Sequence, residues 1–131
     1  MQEIKLGVIG CGRWGSNFIR VLSSLEGCSL LGVYDSDPRS ARKAVRGNVK
    51  AFDNPEKMVR SLKLDAVVIA TPATAHRDIT VRMLKAGVHV LVEKPLATTV
   101  KECSDMTDAA SKKKLVLVAL GSGSFKLTAK C

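Results

Sequence analysis

Three glycines, Gly10, Gly12 and Gly15, have the Gly-x-Gly-x-x-Gly spacing that can hold the phosphates of a nucleotide. They follow an apolar run and precede a pattern of helical periodicity. Phosphate oxygens approach a glycine backbone closely because no Cβ intervenes, and the N-terminus of the next helix attracts them. We predict that this loop, with Arg13 and Trp14 at its variable positions, grips the pyrophosphate of a dinucleotide. The alternative is a plain tight turn between a strand and a helix.

Asp35 ends the second apolar run, twenty residues after Gly15 (35 minus 15). A carboxylate at this distance can accept hydrogen bonds from the hydroxyls of an adenosine ribose. It repels a 2′-phosphate, which favours NAD over NADP, although Arg39 and Arg42 lie close enough in sequence to weaken that preference. The alternative is that Asp35 only caps the turn, a role for which Asp37 is the stronger candidate.

A second group of polar residues follows the fourth apolar run. Thr71 and Pro72 come directly after it, where a rigid loop can line the middle of a bound dinucleotide. His76 lies in the first turn of the helix that follows. Its side chain either reaches a ribose or phosphate group or faces solvent, and the sequence does not choose between these two.

The fifth apolar run ends in Glu93, Lys94 and Pro95. Oxidation of an alcohol by hydride transfer needs a proton acceptor and a cation near the developing carbonyl group. A lysine can stabilise the oxyanion or accept the proton. The alternative is that Glu93 and Lys94 form an ordinary ion pair in a loop.

Strand-like and helix-like patterns alternate along the chain. The first helix is predicted from about Arg13 to Leu25, with an apolar face made of Trp14, Phe18, Val21, Leu22 and Leu25. Predicted strands are Glu3–Ile9, Ser29–Tyr34, Val49–Phe52, Asp65–Ala70, Val88–Val92 and Leu115–Leu120. Three other helices are predicted to begin at side-chain caps, Asp37 before Pro38, Asn54 before Pro55, and Thr99 with Glu102 in a capping box, and another runs from about Ala75 to Ala86. The helix after Asp37 is predicted to end near Gly47 and the helix after Thr99 near Lys113.

Apolar residues on both faces of the strands predict an α/β fold with a parallel sheet covered by helices on both sides. We expect the doubly wound strand order 3-2-1-4-5-6, because right-handed crossovers leave few alternatives. All the candidate site residues then lie at the carboxyl ends of the strands. The predicted domain spans residues 1–120, and residues 121–131 are predicted to form a flexible tail.

Composition narrows the class of protein. No apolar run is long enough to cross a bilayer, and the N-terminus enters a strand at once, which suggests a cytoplasmic protein. None of the four cysteines forms a C-x-x-C pair, so we expect no metal site. Cys11 is either a reactive thiol or simply a small residue that fits the glycine loop.

The net charge is +9, but the basic residues are scattered and aromatic residues are few, so we expect no nucleic-acid binding.

The motifs together resemble the N-terminal NAD(P)-binding Rossmann domain of the glucose–fructose oxidoreductase/inositol dehydrogenase (Gfo/Idh/MocA) family. The resemblance covers the chain from about Ile4 to Val118, and its most specific element is the Glu-Lys-Pro sequence after the fifth strand. The motifs that carry it are Gly10-Cys11-Gly12-x-x-Gly15, Tyr34-Asp35, Ala70-Thr71-Pro72 with His76, and Gly87-Val88-His89-Val90-Leu91-Val92-Glu93-Lys94-Pro95-Leu96.

The resemblance implies an oxidoreductase that transfers hydride between NAD, or less readily NADP, and a hydroxyl group of a sugar, polyol or nucleotide-sugar. It implies that Glu93 lies near the nicotinamide ribose. It implies that Lys94 is the catalytic residue, in contact with the nicotinamide and the substrate hydroxyl, where it orients the substrate and handles the proton. It further implies that a cis peptide bond precedes Pro95.

Family members continue into a second domain that supplies the substrate pocket, and no such domain is recognisable after Val118. We therefore expect this chain to bind the cofactor and to show weak or no turnover alone. The alternative is a non-catalytic nucleotide-binding or redox-sensing module. The surface that the second domain covers in the family is a candidate for self-association.

Overall fold

The computed structural model describes residues 3–121 and 124–126, and strands alternate with helices along these ranges. The strands are β1 (Ile4–Ile9), β2 (Cys28–Tyr34), β3 (Lys50–Phe52), β4 (Ala66–Ile69), β5 (His89–Glu93), β6 (Leu117–Gly121) and β7 (Ser124–Lys126). The helices are α1 (Arg13–Ser24), α2 (Pro38–Ala44), α3 (Pro55–Leu62), α4 (His76–Lys85) and α5 (Val100–Lys113). A 3-10 turn, Ala73–Ala75, leads into α4. No helix within the described ranges is long and apolar enough to pass through a membrane.

The strands form one sheet in the order β3-β2-β1-β4-β5-β6-β7. All pairs from β3 to β6 are parallel, which confirms the doubly wound order 3-2-1-4-5-6. The sheet continues into β7, which pairs antiparallel with β6, whereas the sequence predicted a flexible tail from residue 121. The remainder of that predicted tail, residues 122–123 and 127–131, lies outside the described residues.

The hydrophobic core lies on both faces of the sheet because successive side chains of a strand point to opposite sides. Leu6 and Val8 of β1 contribute to the face covered by α1 and α2. Ile9 contributes to the face covered by α3, α4 and α5, where Met58 and Met83 are fully buried. This confirms the prediction of helices on both sides, and it leaves the carboxyl edge of the sheet open to ligands.

Side-chain caps begin three of the helices at the residues that the sequence predicted. Asp37 accepts a hydrogen bond from the backbone N–H of Arg39 and opens α2. Asn54 opens α3 in the same way, and the Thr99 hydroxyl accepts from the N–H of Glu102 and opens α5. Each side-chain oxygen satisfies an N–H group that has no partner inside its helix, which fixes where the helix starts.

The apolar face predicted for α1 is partly wrong. Trp14, Val21 and Leu25 are 59%, 47% and 53% exposed, whereas Gly15 and Ile19 are buried. The predicted residues Phe18 and Leu22 are partly buried against the core, so the helix packs through residues 15, 18, 19 and 22. Its first turn comes into direct contact with the end of β1, and Trp14, Val21 and Leu25 remain largely in solvent.

Candidate dinucleotide-binding site

A cavity of about 550 Å³ opens at the carboxyl ends of β1, β2 and β4. The glycine loop after β1 forms one wall, and the end of β2 forms another. The loop after β4 and one face of α4 complete it. The residues predicted for the site that line this cavity are Gly10, Gly12, Arg13, Trp14, Asp35, Thr71 and Pro72. The sheet therefore brings most of the predicted cofactor residues together.

The three glycines of the loop are needed for three different reasons. Gly10 has φ +97°, and a Cβ there would lie 2.7 Å from the backbone of Ala70. A Cβ on Gly15 would lie only 1.7 Å from the carbonyl oxygen of Gly10, so only glycine lets α1 pack against the turn. Gly12 has φ −77°, and a Cβ there would meet nothing within 4 Å. The chain itself therefore does not require glycine at position 12, and the open space fits an approaching phosphate.

The N-terminus of α1 differs from the capped helices. Its N-cap, Gly12, has no side chain to accept a hydrogen bond, and no acidic residue lies in the first turn. The first bond back to the loop runs from the N–H of Ser16 to the Gly12 carbonyl at 2.8 Å. The N–H groups before it point out of the helix with the positive end of its dipole, which is the arrangement that binds an anion.

Asp35 holds the glycine loop against the end of β2. One carboxylate oxygen accepts a hydrogen bond from the N–H of Cys11 at 2.7 Å, and the other accepts from the N–H of Asp37 at 2.8 Å. The turn-capping role considered for Asp35 is therefore present. It does not occupy the whole carboxylate, because each oxygen has two lone pairs and the side chain also lines the cavity.

Cys11 is a structural residue of the loop. The pKa of its thiol is raised to about 12, mainly by burial and to a smaller extent by the nearby Asp35 carboxylate. The Sγ atom lies 3.6 Å from the carbonyl oxygen of Tyr34. Because the thiolate is the nucleophilic form, this environment favours the interpretation of Cys11 as a small residue that fits the loop.

The loop after β4 contributes Thr71 and Pro72 to the cavity wall. The Thr71 hydroxyl oxygen is buried and has no hydrogen-bond partner among the described residues. A buried hydroxyl without a partner is uncommon, since it loses its bonds to water without replacement. This part of the wall therefore carries a hydroxyl group whose hydrogen bonds are unsatisfied within the described residues.

His76 does not face solvent and does not offer a free nitrogen to the cavity. The side chain is 1% exposed. Its Nδ1 lies 2.8 Å from the carbonyl oxygen of Pro95, and its Nε2 lies 2.8 Å from that of Thr71. The solvent-facing alternative is therefore wrong. Because backbone carbonyls engage both ring nitrogens, a direct polar contact of this ring with a dinucleotide is not supported either.

Glu93 and Lys94 lie at the carboxyl end of β5, which pairs with β4. Glu93 is half-buried and Lys94 is exposed, and neither lines the 550 Å³ cavity. They lie beyond its β4 side, on the same edge of the sheet. The peptide bond between Lys94 and Pro95 is cis, as the family resemblance implied.

The sequence analysis missed the contribution of α4 to the cavity. Ala75, Asp78, Ile79 and Arg82 all line it. Their spacing of i, i+3, i+4 and i+7 marks one face of a helix, and this signal could have identified them. Arg82 makes two hydrogen bonds to the Glu56 carboxylate, at 2.8 and 2.6 Å, and this pairing lowers the pKa of Glu56. The ion pair fixes α3 and α4 beside the cavity.

The sheet order, the glycine turn and the uncapped helix define a dinucleotide-binding α/β domain. Residues 4–121 match the family GFO_IDH_MocA, described as "Oxidoreductase family, NAD-binding Rossmann fold". The chain belongs to this family. Among the described residues no group of three or more His, Cys, Asp or Glu side chains could hold a metal ion.

Curated relatives and solved structures agree with this assignment. Inositol 2-dehydrogenase 2 of Saccharopolyspora erythraea is 33% identical over 123 residues, which cover 92% of this chain and 36% of that protein. GenD2 from gentamicin A biosynthesis, solved with NAD, has a TM-score of 0.85 at 28% identity, covering 91% of this chain and 34% of its own. The WlbA dehydrogenase of Bordetella pertussis, solved with NADH and UDP-GlcNAcA, has a TM-score of 0.85 at 27% identity. The match covers 91% of this chain and 37% of the WlbA chain. The chain spans about a third of the length of the relatives it matches.

Cys11 is expected to resist alkylation by iodoacetamide in the folded protein between pH 7 and pH 9. Its pKa of about 12 keeps the thiol protonated across this range, and the thiolate is the reacting form. Cys28 is also a free thiol and is half-buried, so it serves as the comparison. Mass spectrometry of timed samples should show Cys11 reacting about a hundredfold more slowly than Cys28. Equal rates in the folded protein would contradict the described environment.

Proposed function

We propose that this chain binds NAD in the cavity at the carboxyl ends of β1, β2 and β4, as the cofactor-binding part of an oxidoreductase. The open space beside Gly12 is the observation that supports this most directly. No contact among the described residues requires glycine there, yet a side chain would enter the cavity where a phosphate can meet the N-terminus of α1. In this proposal the pyrophosphate lies over residues 10–15.

Asp35 is proposed to bind the adenosine ribose. Its carboxylate lines the cavity, and oxygen lone pairs remain after its two backbone hydrogen bonds. The same negative charge disfavours a 2′-phosphate, so we propose NAD in preference to NADP. Arg39, which could oppose this preference, pairs with Asp37 and is not part of the cavity wall.

Glu93 and Lys94 are proposed to lie at the nicotinamide end of the site. When bound, NAD accepts or supplies the hydride. Lys94 is proposed as the catalytic residue: its ammonium group orients the substrate hydroxyl, and its amine can exchange the proton that leaves as the carbonyl forms. The position after β5 on the shared carboxyl edge, and the exposure of the side chain, support this role.

We propose that the substrate is a sugar, polyol or nucleotide-sugar. The printed names of an inositol 2-dehydrogenase and of a dehydrogenase complex with UDP-GlcNAcA support this class. Because the chain spans about a third of such relatives, we propose that turnover requires a second domain.

Self-association also stays a proposal, supported by exposed apolar side chains such as Trp14, Val100 and Val116. A cytoplasmic location is proposed because the reaction draws on the intracellular pool of nicotinamide dinucleotides.

Gly12→Val is expected to abolish NADH binding and to leave the fold intact. The valine side chain enters open space but is a poorer N-cap than glycine, so the free energy of unfolding should fall by no more than about 1 kcal/mol. The same side chain excludes the pyrophosphate, so NADH affinity should fall by at least about a hundredfold. Nicotinamide fluorescence measures binding, and urea denaturation measures stability.

Ser24→Val is the matched control, because Ser24 is exposed at the opposite end of the same helix. It should leave NADH affinity unchanged. If Gly12→Val bound NADH as the wild type does, the proposed pyrophosphate position would be wrong. If the wild-type chain bound neither NADH nor NADPH, the proposal that this part of the protein holds the cofactor would fail.

Asp35→Asn is expected to reduce the preference for NADH over NADPH by about tenfold, because it removes the charge that repels the 2′-phosphate. The ratio of the two dissociation constants is the measured quantity, so a general loss of affinity does not affect the result. Asp37→Asn is the control, since Asp37 caps α2 outside the cavity and asparagine can keep the cap. An equal change of the ratio in both variants would contradict the role of Asp35.

A further inference from the structure

His76 joins two loops at the carboxyl edge of the sheet. Its Nε2 lies 2.8 Å from the carbonyl oxygen of Thr71, which lines the cavity after β4. Its Nδ1 lies 2.8 Å from the carbonyl oxygen of Pro95, which follows Lys94 after β5. The ring is 1% exposed, so water does not compete for either nitrogen. One buried side chain thus spans the gap between the loop after β4, which lines the cavity, and the proposed catalytic loop after β5.

The two partners of the ring are both acceptors. A backbone carbonyl oxygen accepts hydrogen bonds and has no proton to donate. A ring N–H therefore donates to the carbonyl of one loop, and the other ring nitrogen lies 2.8 Å from the carbonyl of the other loop. The ring is thus enclosed between the two loops and contacts the backbone of each.

The charged groups near His76 are engaged elsewhere or lie outside hydrogen-bond distance of the ring. On α4, Arg77 pairs with Asp78 and with Asp105 of α5. On α5, Asp105 also pairs with Lys101, and Glu102 bonds to Thr98. At the end of β5, neither Glu93 nor Lys94 has a described bond to the ring. The two backbone carbonyls are therefore the hydrogen-bond partners of His76 among residues 3–121.

The Lys94 side chain is exposed, and no hydrogen bond or ion pair within residues 3–121 and 124–126 holds it. The backbone of its loop therefore sets where the side chain begins and which part of the sheet edge its ammonium group can reach. The Pro95 carbonyl, one residue further on, is attached to His76, which in turn is attached to the Thr71 carbonyl on the cavity wall.

We propose that His76 is a positioning residue: its buried ring lies between the carbonyls of Thr71 and Pro95 and so fixes the loop that carries Lys94 relative to the dinucleotide cavity. The link between the two loops is a property of this chain by itself. Its effect on the nicotinamide end of the site rests on the proposed function of Lys94.

The first test reads the ring directly, with no ligand present. In a ¹⁵N-labelled chain a His76 ring N–H should exchange slowly with solvent, because the ring is buried between the two carbonyls. His89 is the internal comparison, because its ring is only partly buried and its Nδ1 accepts a hydrogen bond from the N–H of Val116 at 3.0 Å. A His76 ring N–H that exchanges as fast as that of His89 would overturn the proposal, whether or not the chain binds a dinucleotide.

The second test compares NADH with ADP-ribose, which lacks the nicotinamide. His76→Phe removes both ring nitrogens and should weaken NADH binding by about tenfold while changing ADP-ribose affinity by less than about twofold. His76→Gln retains an N–H donor and should recover part of the loss. Equal weakening of both ligands would indicate general damage to the fold and would overturn the positioning role.

A double-mutant cycle with Lys94→Ala completes the test. Lys94→Ala should weaken the binding of NADH and leave the binding of ADP-ribose unchanged. Adding His76→Phe should weaken NADH binding by less than about twofold more, because the two residues act as one unit. Additive losses would overturn the proposal. If His76→Phe does not fold, the exchange measurement on the ring N–H decides. If wild type binds neither ligand, the proposed function fails while that measurement still tests the link between the loops.

Discussion

The close approach of α1 to the end of β1 is the constraint on which the site depends. A Cβ on Gly15 would lie 1.7 Å from the Gly10 carbonyl oxygen, so the helix can start this near the strand only because residue 15 is glycine. The turn that makes this possible has φ +97° at Gly10 and leaves open space beside Gly12. Asp35 then holds the same turn through the N–H of Cys11. Packing of the helix and binding of an anion are thus two results of one backbone geometry.

The two ends of the proposed site are built on different principles. At the pyrophosphate end, backbone N–H groups and a helix dipole provide a fixed positive region without any charged side chain having to be desolvated. At the other end, the buried ring of His76 joins two loops, and the exposed Lys94 side chain extends from one of them. The first end is nearly complete within the glycine loop. The second depends on contacts between segments that are distant in sequence.

This difference explains what the sequence could predict. The glycine spacing, the Asp at the end of β2 and the helix caps are local signals, and the structure has each of them where it was expected. The role of His76 could not be predicted, because its partners are backbone carbonyls that carry no mark in the sequence. The exposure of Trp14 was missed because apolar spacing does not reveal which stripe of a helix meets the sheet. The pairing of β7 with β6 is a tertiary contact that Gly and Ser residues gave no reason to expect.

Backbone amide mapping by NMR during titration of the labelled chain with NAD would show whether the dinucleotide lies over the glycine loop. A dinucleotide bound there should give saturable shifts that are largest for the amides of residues 12–15, with further shifts at Asp35 and Thr71. These amides form the uncapped start of α1 and the two adjoining walls of the cavity. Shifts concentrated elsewhere, for example in the groove between α4 and α5, with residues 12–15 unchanged, would contradict this binding position. The open space beside Gly12 would then have an explanation other than a bound phosphate.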